Sequence, residues 1–189
     1  NTLTYMVVAI LLVLGGGFWF FKINLPEKEQ TAQTEMFQAQ FYFEADSLDK
    51  ALNGDGANEG FLYIIDEYGM TKAANISNFY AGVCYLKKGE FEEAINYLKA
   101  FSSSDLLIQA RAYSLLGDAN SELENTDEAI KYYKKAKSYK PNQFFTPTYI
   151  MKLALAYETN EDYENAAKAY SEIIKQFPEA SEINDAKKY

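Results

Sequence analysis

The sequence predicts an all-α protein: one apolar helix long enough to cross a bilayer, followed by a solenoid of antiparallel helical hairpins. Three observations predict this. GEFEEAINYLKAF from Gly89, ENTDEAIKYYKKA from Glu124 and EDYENAAKAYSEI from Glu161 repeat nearly one pattern, and Ala94, Ala129 and Ala166 align them 35 and 37 residues apart. A period in the mid-thirties belongs to stacked helical hairpins. Leu3 to Phe21 reads LTYMVVAILLVLGGGFWFF without a charge. Gly and Pro are sparse, 10 and 4 among 189 residues, and no stretch alternates with the period-2 pattern of a half-buried strand.

Composition removes several function classes. A net charge of −9 with a pI near 4.6 argues against nucleic acid, whose phosphates need clustered Lys and Arg. There is no His, so imidazole-based catalysis and most zinc sites are excluded. The one cysteine, Cys84, lies between Val83 and Tyr85 and reads as a small buried side chain. Glu92, Glu93, Asp127 and Glu128 fall on solvated helix starts, where they complement the helix dipole. No phosphate-binding Gly-rich loop or nucleophile elbow occurs. No enzyme, cofactor, metal or small-molecule substrate is expected.

The first element, residues 3–22, is expected to be a transmembrane helix. Nineteen apolar residues span roughly 28 Å at about 1.5 Å per residue, the thickness of a bilayer core. Phe18, Trp19, Phe20 and Phe21 before Lys22 form an aromatic belt with a snorkelling cation. A cleaved signal peptide competes, but the run exceeds a usual apolar region and no small-residue cleavage site follows. The chain opens on Asn1, so positive charges that fix orientation are expected upstream. The mixed flank KINLPEKEQ and the soluble mass beyond it favour a cytoplasmic N-terminus with the bulk outside. Gly15, Gly16 and Gly17 would let another membrane helix approach closely, although Gly is also simply common in such helices.

Pro26 is expected to end this helix and to open a linker over 23–31. Residues 32–74 then read as a degenerate first hairpin. MFQAQFYFEA from Met36 supplies its first helix, Ala57, Phe61 and Ile64 repeat the spacing of the later second helices, and glycines at 54, 56 and 60 mark an irregular insertion. Regular hairpins follow at 75–109, 110–146 and 147–178. In them Gly82, Gly117 and Ala154 sit on first helices where second helices, carrying Ala94, Ala129 and Ala166, cross closely. Tyr85, Leu98, Tyr133, Tyr157 and Tyr170 fill the remaining space, and Pro141 and Pro178 stop the second helices. Residues 179–189 begin a closing helix with Ser181 as its N-cap.

The middle copy, with Tyr113, Leu116, Gly117, Ala129, Tyr133, Ala136 and Pro141, resembles the tetratricopeptide repeat and departs from it at Asn120, where Tyr is usual. The resemblance implies that first helices line an inner surface that binds partners. The lining positions are Ile76, Phe79, Tyr80, Val83 and Leu86, then Arg111, Leu115 and Asp118 with Ser114, Ser121 and Glu122, then Met151 and Leu155 with Lys152 and Glu158. The clamp for acidic chaperone tails wants Asn where Val83, Asp118 and Leu155 stand, so that mode is rejected. The apolar strip of Ile76, Phe79, Tyr80 and Val83 would hold a client segment, or the first hairpin covers part of it.

Anchor, linker and small acidic repeat domain together resemble the bacterial inner-membrane family of ancillary Sec-translocon subunits (YfgM-like). That resemblance implies a single-pass protein of the inner membrane with its repeats in the periplasm. It further implies translocon subunits, a membrane-bound peptidyl-prolyl isomerase chaperone and client polypeptides as partners. A scaffold of another envelope machine, for outer-membrane assembly, secretion or division, and an organelle import receptor of opposite topology are the alternatives.

Overall fold

The computed structural model describes the backbone of residues 2–188 and the side chains of residues 5, 6 and 9–188. The expectations for Leu3, Thr4, Val7, Val8 and Tyr189 therefore lie in whole or part outside it. Every regular element among the described residues is helical. The chain divides into two compact units, Asn1–Tyr80 and Ala81–Tyr189.

The first unit opens with α1 (Thr2–Trp19), a π turn (Phe20–Asn24) and α2 (Leu25–Glu44), which run on from one another without a break. Pro26 corrects the expectation of a linker over 23–31, because it lies at the start of α2 inside a continuous helical path. Proline removes one donor and crowds the carbonyl four residues earlier. Here the path widens just before it, and the Leu25 N–H reaches back five residues to the Phe20 carbonyl, the bonding of a π turn. A helical chain therefore joins the apolar segment to the first hairpin.

That hairpin pairs α2 with α3 (Leu48–Asn53) and α4 (Phe61–Glu67). Asp46 closes α2 in the left-handed region at φ 56°. The Ser47 N–H bonds the Tyr42 carbonyl at 2.8 Å and the Asp46 N–H bonds the Phe43 carbonyl at 3.1 Å, which satisfies the end of the helix. Ala39, seven residues before this turn, and Ala51, five after it, are fully buried. Ala57, expected to be the crossing alanine, is exposed in the loop between α3 and α4. The expectation failed because the insertion lies inside the second helix rather than before it. Gly60 returns the chain past α3 so closely that an added Cβ would lie 2.2 Å from the Leu52 carbonyl oxygen. Phe61 and Ile64 then fill the core from α4.

The helix α5 (Lys72–Lys88) begins in this unit. Thr71 caps it by accepting the Ala74 N–H at 3.0 Å, and the Glu29 carboxylate of α2 accepts the Lys72 N–H at 2.6 Å. The hydroxyl satisfies an otherwise unpaired N–H, and the carboxylate places negative charge at the helix N-terminus.

The second unit stacks the rest of α5 with α6 (Phe91–Ala100), then α7 (Ile108–Glu122) with α8 (Thr126–Ser138), and α9 (Thr146–Thr159) with α10 (Tyr163–Gln176). Each first helix ends as α2 does. Gly89, Glu124 and Glu161 hold φ of 79°, 59° and 57°, and the N–H groups of Glu90, Asn125 and Asp162 bond the carbonyls of Tyr85, Asn120 and Tyr157 at 2.9, 2.8 and 2.9 Å. Ala94, Ala129 and Ala166 stand five residues beyond these turns and are buried.

Seven residues before the turns stand Gly82, Gly117 and Ala154, all buried. An added Cβ would lie 2.6 Å from Leu98 Cγ at Gly82 and 2.4 Å from Tyr133 Cε1 at Gly117. Small residue and large residue are sixteen positions apart in both hairpins, and the same spacing pairs Ala154 with Tyr170 inside one buried cluster with Ile150, Ala166 and Ile173. Ala186 of α11 (Ile183–Ala186) joins that cluster. Glu182, not Ser181, is the N-cap of α11; Ser181 instead donates its hydroxyl to Glu182 at 3.0 Å.

Candidate binding face

The expected lining residues divide sharply by exposure. In the first unit Phe79 is only 5% exposed. Tyr80 is half-buried, with its ring stacked on Phe61 at 5.1 Å and 6° and edge-on to Phe43 at 5.0 Å. Phe43 and Phe61 belong to the first hairpin, so that hairpin occupies the aromatic face expected to hold a client. Ile76 is half-buried. Phe37 of α2, 71% exposed, went unnoticed in the sequence. It lies two residues before Ala39, as Tyr80, Leu115 and Lys152 lie two before Gly82, Gly117 and Ala154. The insertion hid this register.

In the second unit Val83 is 6% exposed, a second departure from the expected open strip, and Leu86 is half-buried. The open part of this face is carried by α7 and α9. Arg111 is exposed, Leu115 and Met151 are half-buried, and Leu155 is 46% exposed. Met151 also packs on the core beneath it, which fixes the floor of the apolar strip.

Charge on the same face is organised across two repeats. Lys152 of α9 donates to both Asp118 oxygens of α7 at 2.8 and 2.6 Å. The Tyr133 hydroxyl of α8 donates to Asp118 Oδ1 at 2.8 Å. Burial, and then the Asp118 charge, push the Tyr133 phenol well above its ordinary range, so it stays a donor at neutral pH. The pair ties neighbouring hairpins and leaves Asp118 engaged rather than open to an incoming ligand. Lys152 was noticed in the sequence only as a lining residue. Its distance of 34 residues from Asp118, about one repeat, is the signal that marks them as neighbours.

The three glycines of α1 are open. An added Cβ at Gly15, Gly16 or Gly17 would meet no atom within 4 Å. Ile10, Leu11, Leu12, Val13, Leu14, Phe18 and Trp19 on the same helix are exposed. Among the described residues this is the one helix long and apolar enough to cross a membrane.

These features define a helical-hairpin repeat protein with a mixed apolar and charged face on α7 and α9. Comparison with known proteins supplies the particular repeat. Residues 110–143 match one tetratricopeptide-repeat family model, and residues 77–104 and 149–180 match another. The chain carries tetratricopeptide repeats.

A TPR repeat-containing protein of Methanocaldococcus jannaschii is 26% identical over 82% of this chain and 31% of that protein; the chain thus spans less than a third of that relative's length. The crystal structure of MamA shares the fold with a TM-score of 0.54 at 24% identity, over 63% of this chain and 66% of that one. Tetratricopeptide repeats support a protein-protein interaction scaffold.

Proposed function

We propose that this protein is a membrane-anchored adaptor. In this reading α1 crosses the inner membrane and the repeats lie on the periplasmic side. The protein works as an ancillary subunit at the Sec translocon, where it meets emerging envelope proteins beside a membrane-bound peptidyl-prolyl isomerase chaperone. The observation that carries the adaptor reading is the α7 and α9 face, where Leu115, Met151 and Leu155 form an apolar strip bordered by Arg111 and the Lys152–Asp118 pair. Apolar residues give contact area, and charges at the rim select partners. Leu86 extends the candidate lining of this unit; Ile76, Phe79 and Tyr80 belong to the first unit, and Val83 is buried.

The exposed apolar side chains described on α1 support the anchor, since a core helix of a soluble domain would bury them. Gly15, Gly16 and Gly17 offer the close-packing face for a partner's membrane helix. Binding without catalysis is part of the proposal.

Photo-crosslinkers at Leu155 and at Gly16, with native purification and mass spectrometry, test it. Capture of translocon subunits and the isomerase chaperone is the expected result. Capture of a different envelope assembly would overturn the translocon assignment while leaving the adaptor role. Protease protection of the repeats in intact cells, lost on opening the outer membrane, is expected for the periplasmic side.

A further inference from the structure

A cleft of about 340 Å3 lies between the membrane-proximal helix and the turn before α5. Phe20, Leu25 and Met70 give it an apolar side; Lys28, Asp66 and Glu67 give it charges of both signs. None of these side chains belongs to the α7 and α9 face. Met70 is 65% exposed, an unusual place for a large thioether on a turn.

The continuous helical path sets the depth of this cleft. Lys28 stands seven residues beyond Phe21, roughly 10 Å along a helix axis, and the headgroup layer occupies about 5–8 Å beyond the hydrocarbon on each side. Phe20 therefore lies at the hydrocarbon edge, and the Lys28 backbone lies just past the headgroup layer, from which its four-carbon stem reaches back to phosphate depth. A flexible linker at Pro26 would have left the depth undefined.

The charges narrow the occupant. Lys28 Nζ and Glu67 Oε1 are 3.8 Å apart, with both side chains about half exposed, so the pair is loose and leaves each charge able to take a second partner. An anionic headgroup would gain Lys28 but face two carboxylates. A headgroup carrying both a phosphate and a cation satisfies all three.

We infer that this cleft seats the headgroup of a zwitterionic phospholipid, its phosphate toward Lys28 and its cationic end toward Asp66 and Glu67. Phe20 and Met70 lie against the glycerol and the first acyl carbons. The lipid then fastens the first hairpin to the membrane surface, so that the anchor and the first hairpin move as one body. The inference rests on reading residues 3–21 as the anchor.

The full chain in nanodiscs of equal phosphatidylethanolamine, phosphatidylcholine and phosphatidylglycerol, released for native mass spectrometry, tests it. One zwitterionic phospholipid is expected to stay bound. Lys28→Ala, or Asp66→Ala with Glu67→Ala, should lower its retention about fivefold, the effect of losing roughly 1 kcal/mol of charge-assisted bonding. Lys50→Ala should leave it unchanged.

Trp19, the single tryptophan, reports the anchor independently through quenching by brominated acyl chains. Quenched Trp19 with no retained lipid, or with phosphatidylglycerol preferred, overturns the cleft assignment and keeps the anchor. Unquenched Trp19 overturns both.

Discussion

The first hairpin and the middle one share a turn and differ in the length of helix beyond it. Both end the first helix on a left-handed residue, Asp46 or Glu124. Both bury a small residue seven positions earlier, Ala39 or Gly117, and an alanine five positions later, Ala51 or Ala129. In the middle hairpin the second helix runs on to Ser138 and delivers Tyr133 onto Gly117. In the first it stops at Asn53, and the residue at the matching position is Asp55, which accepts the Ala57 and Asn58 N–H groups at 2.9 and 2.8 Å and the Tyr42 hydroxyl at 2.6 Å. Bulk arrives instead from α4. Turn and small residues therefore set the pairing of helices, while an unbroken second helix is dispensable when another element fills the gap.

The largest effect should come from forcing a long cation into a crossing. Ala129→Arg is expected to abolish cooperative unfolding of the second unit, a loss above about 4 kcal/mol from overpacking and an unpaired buried charge. Circular-dichroism melting reads it. Ala51→Arg should disrupt the first hairpin in the same way, whereas Ala57→Arg, on the exposed loop, should change stability by no more than about 0.5 kcal/mol. The reverse order would restore the Ala57 register.

Gly60→Ala comes next. Its Cβ would strike backbone, not a flexible side chain, so a cost of about 2–4 kcal/mol is expected, confined to the first hairpin. Hydrogen exchange should rise in α3 and α4 and stay unchanged in α8 and α10.

A smaller and broader effect is set by pH. Burial, then the Glu35 hydrogen bond, push the Tyr68 phenol in the first unit up to about 12, and Tyr133 in the second is raised also. A phenol with a raised folded-state pKa is protonated when folded, so its stabilisation is complete below the ordinary value of 10 and is lost as pH climbs through the folded value. Urea titrations from pH 9 upward should therefore show falling stability, and Tyr68→Phe and Tyr133→Phe should each flatten part of that fall. At the acid end, hydrogen bonds from Tyr42 and then from the Asn58 and Ala57 N–H groups hold the Asp55 carboxyl well below its ordinary 3.8. The 54–60 loop should loosen as pH drops below that value, and loop amide exchange checks it.

The smallest expected change is a gain. Glu124 and Glu161 hold left-handed backbone that Gly89 adopts without strain in the equivalent place. Glu124→Gly should add about 0.5 kcal/mol, the relief of strain exceeding the added chain entropy, as a small rise in urea midpoint.

The regular hairpins were legible because their signal is periodic: Ala94, Ala129 and Ala166 recur at nearly constant distance, and all are buried. The first hairpin was half legible. Its turn matches the Gly89 turn pattern 43 residues upstream, but the insertion lies within the second helix, so spacing measured from Phe61 pointed to Ala57 instead of Ala51. Pro26 misled for a local reason, since a π turn that accommodates proline leaves no mark in composition. The lining residues Phe79 and Tyr80 were recognisable by register, yet the cover over Tyr80 comes from Phe43 and Phe61, brought from elsewhere in the chain. Spacing alone carries no such information.

The central claim is that each regular hairpin closes where a small residue on its first helix admits a large one from its second. A double-mutant cycle between Gly117 and Tyr133 by urea denaturation tests it most directly. Gly117→Ala should cost about 1–2 kcal/mol against Tyr133. In a Tyr133→Ala background the same change should become neutral or favourable, because the methyl finds room and alanine gains about 1 kcal/mol of helix propensity. Equal effects in both backgrounds, within about 0.5 kcal/mol, would contradict the account.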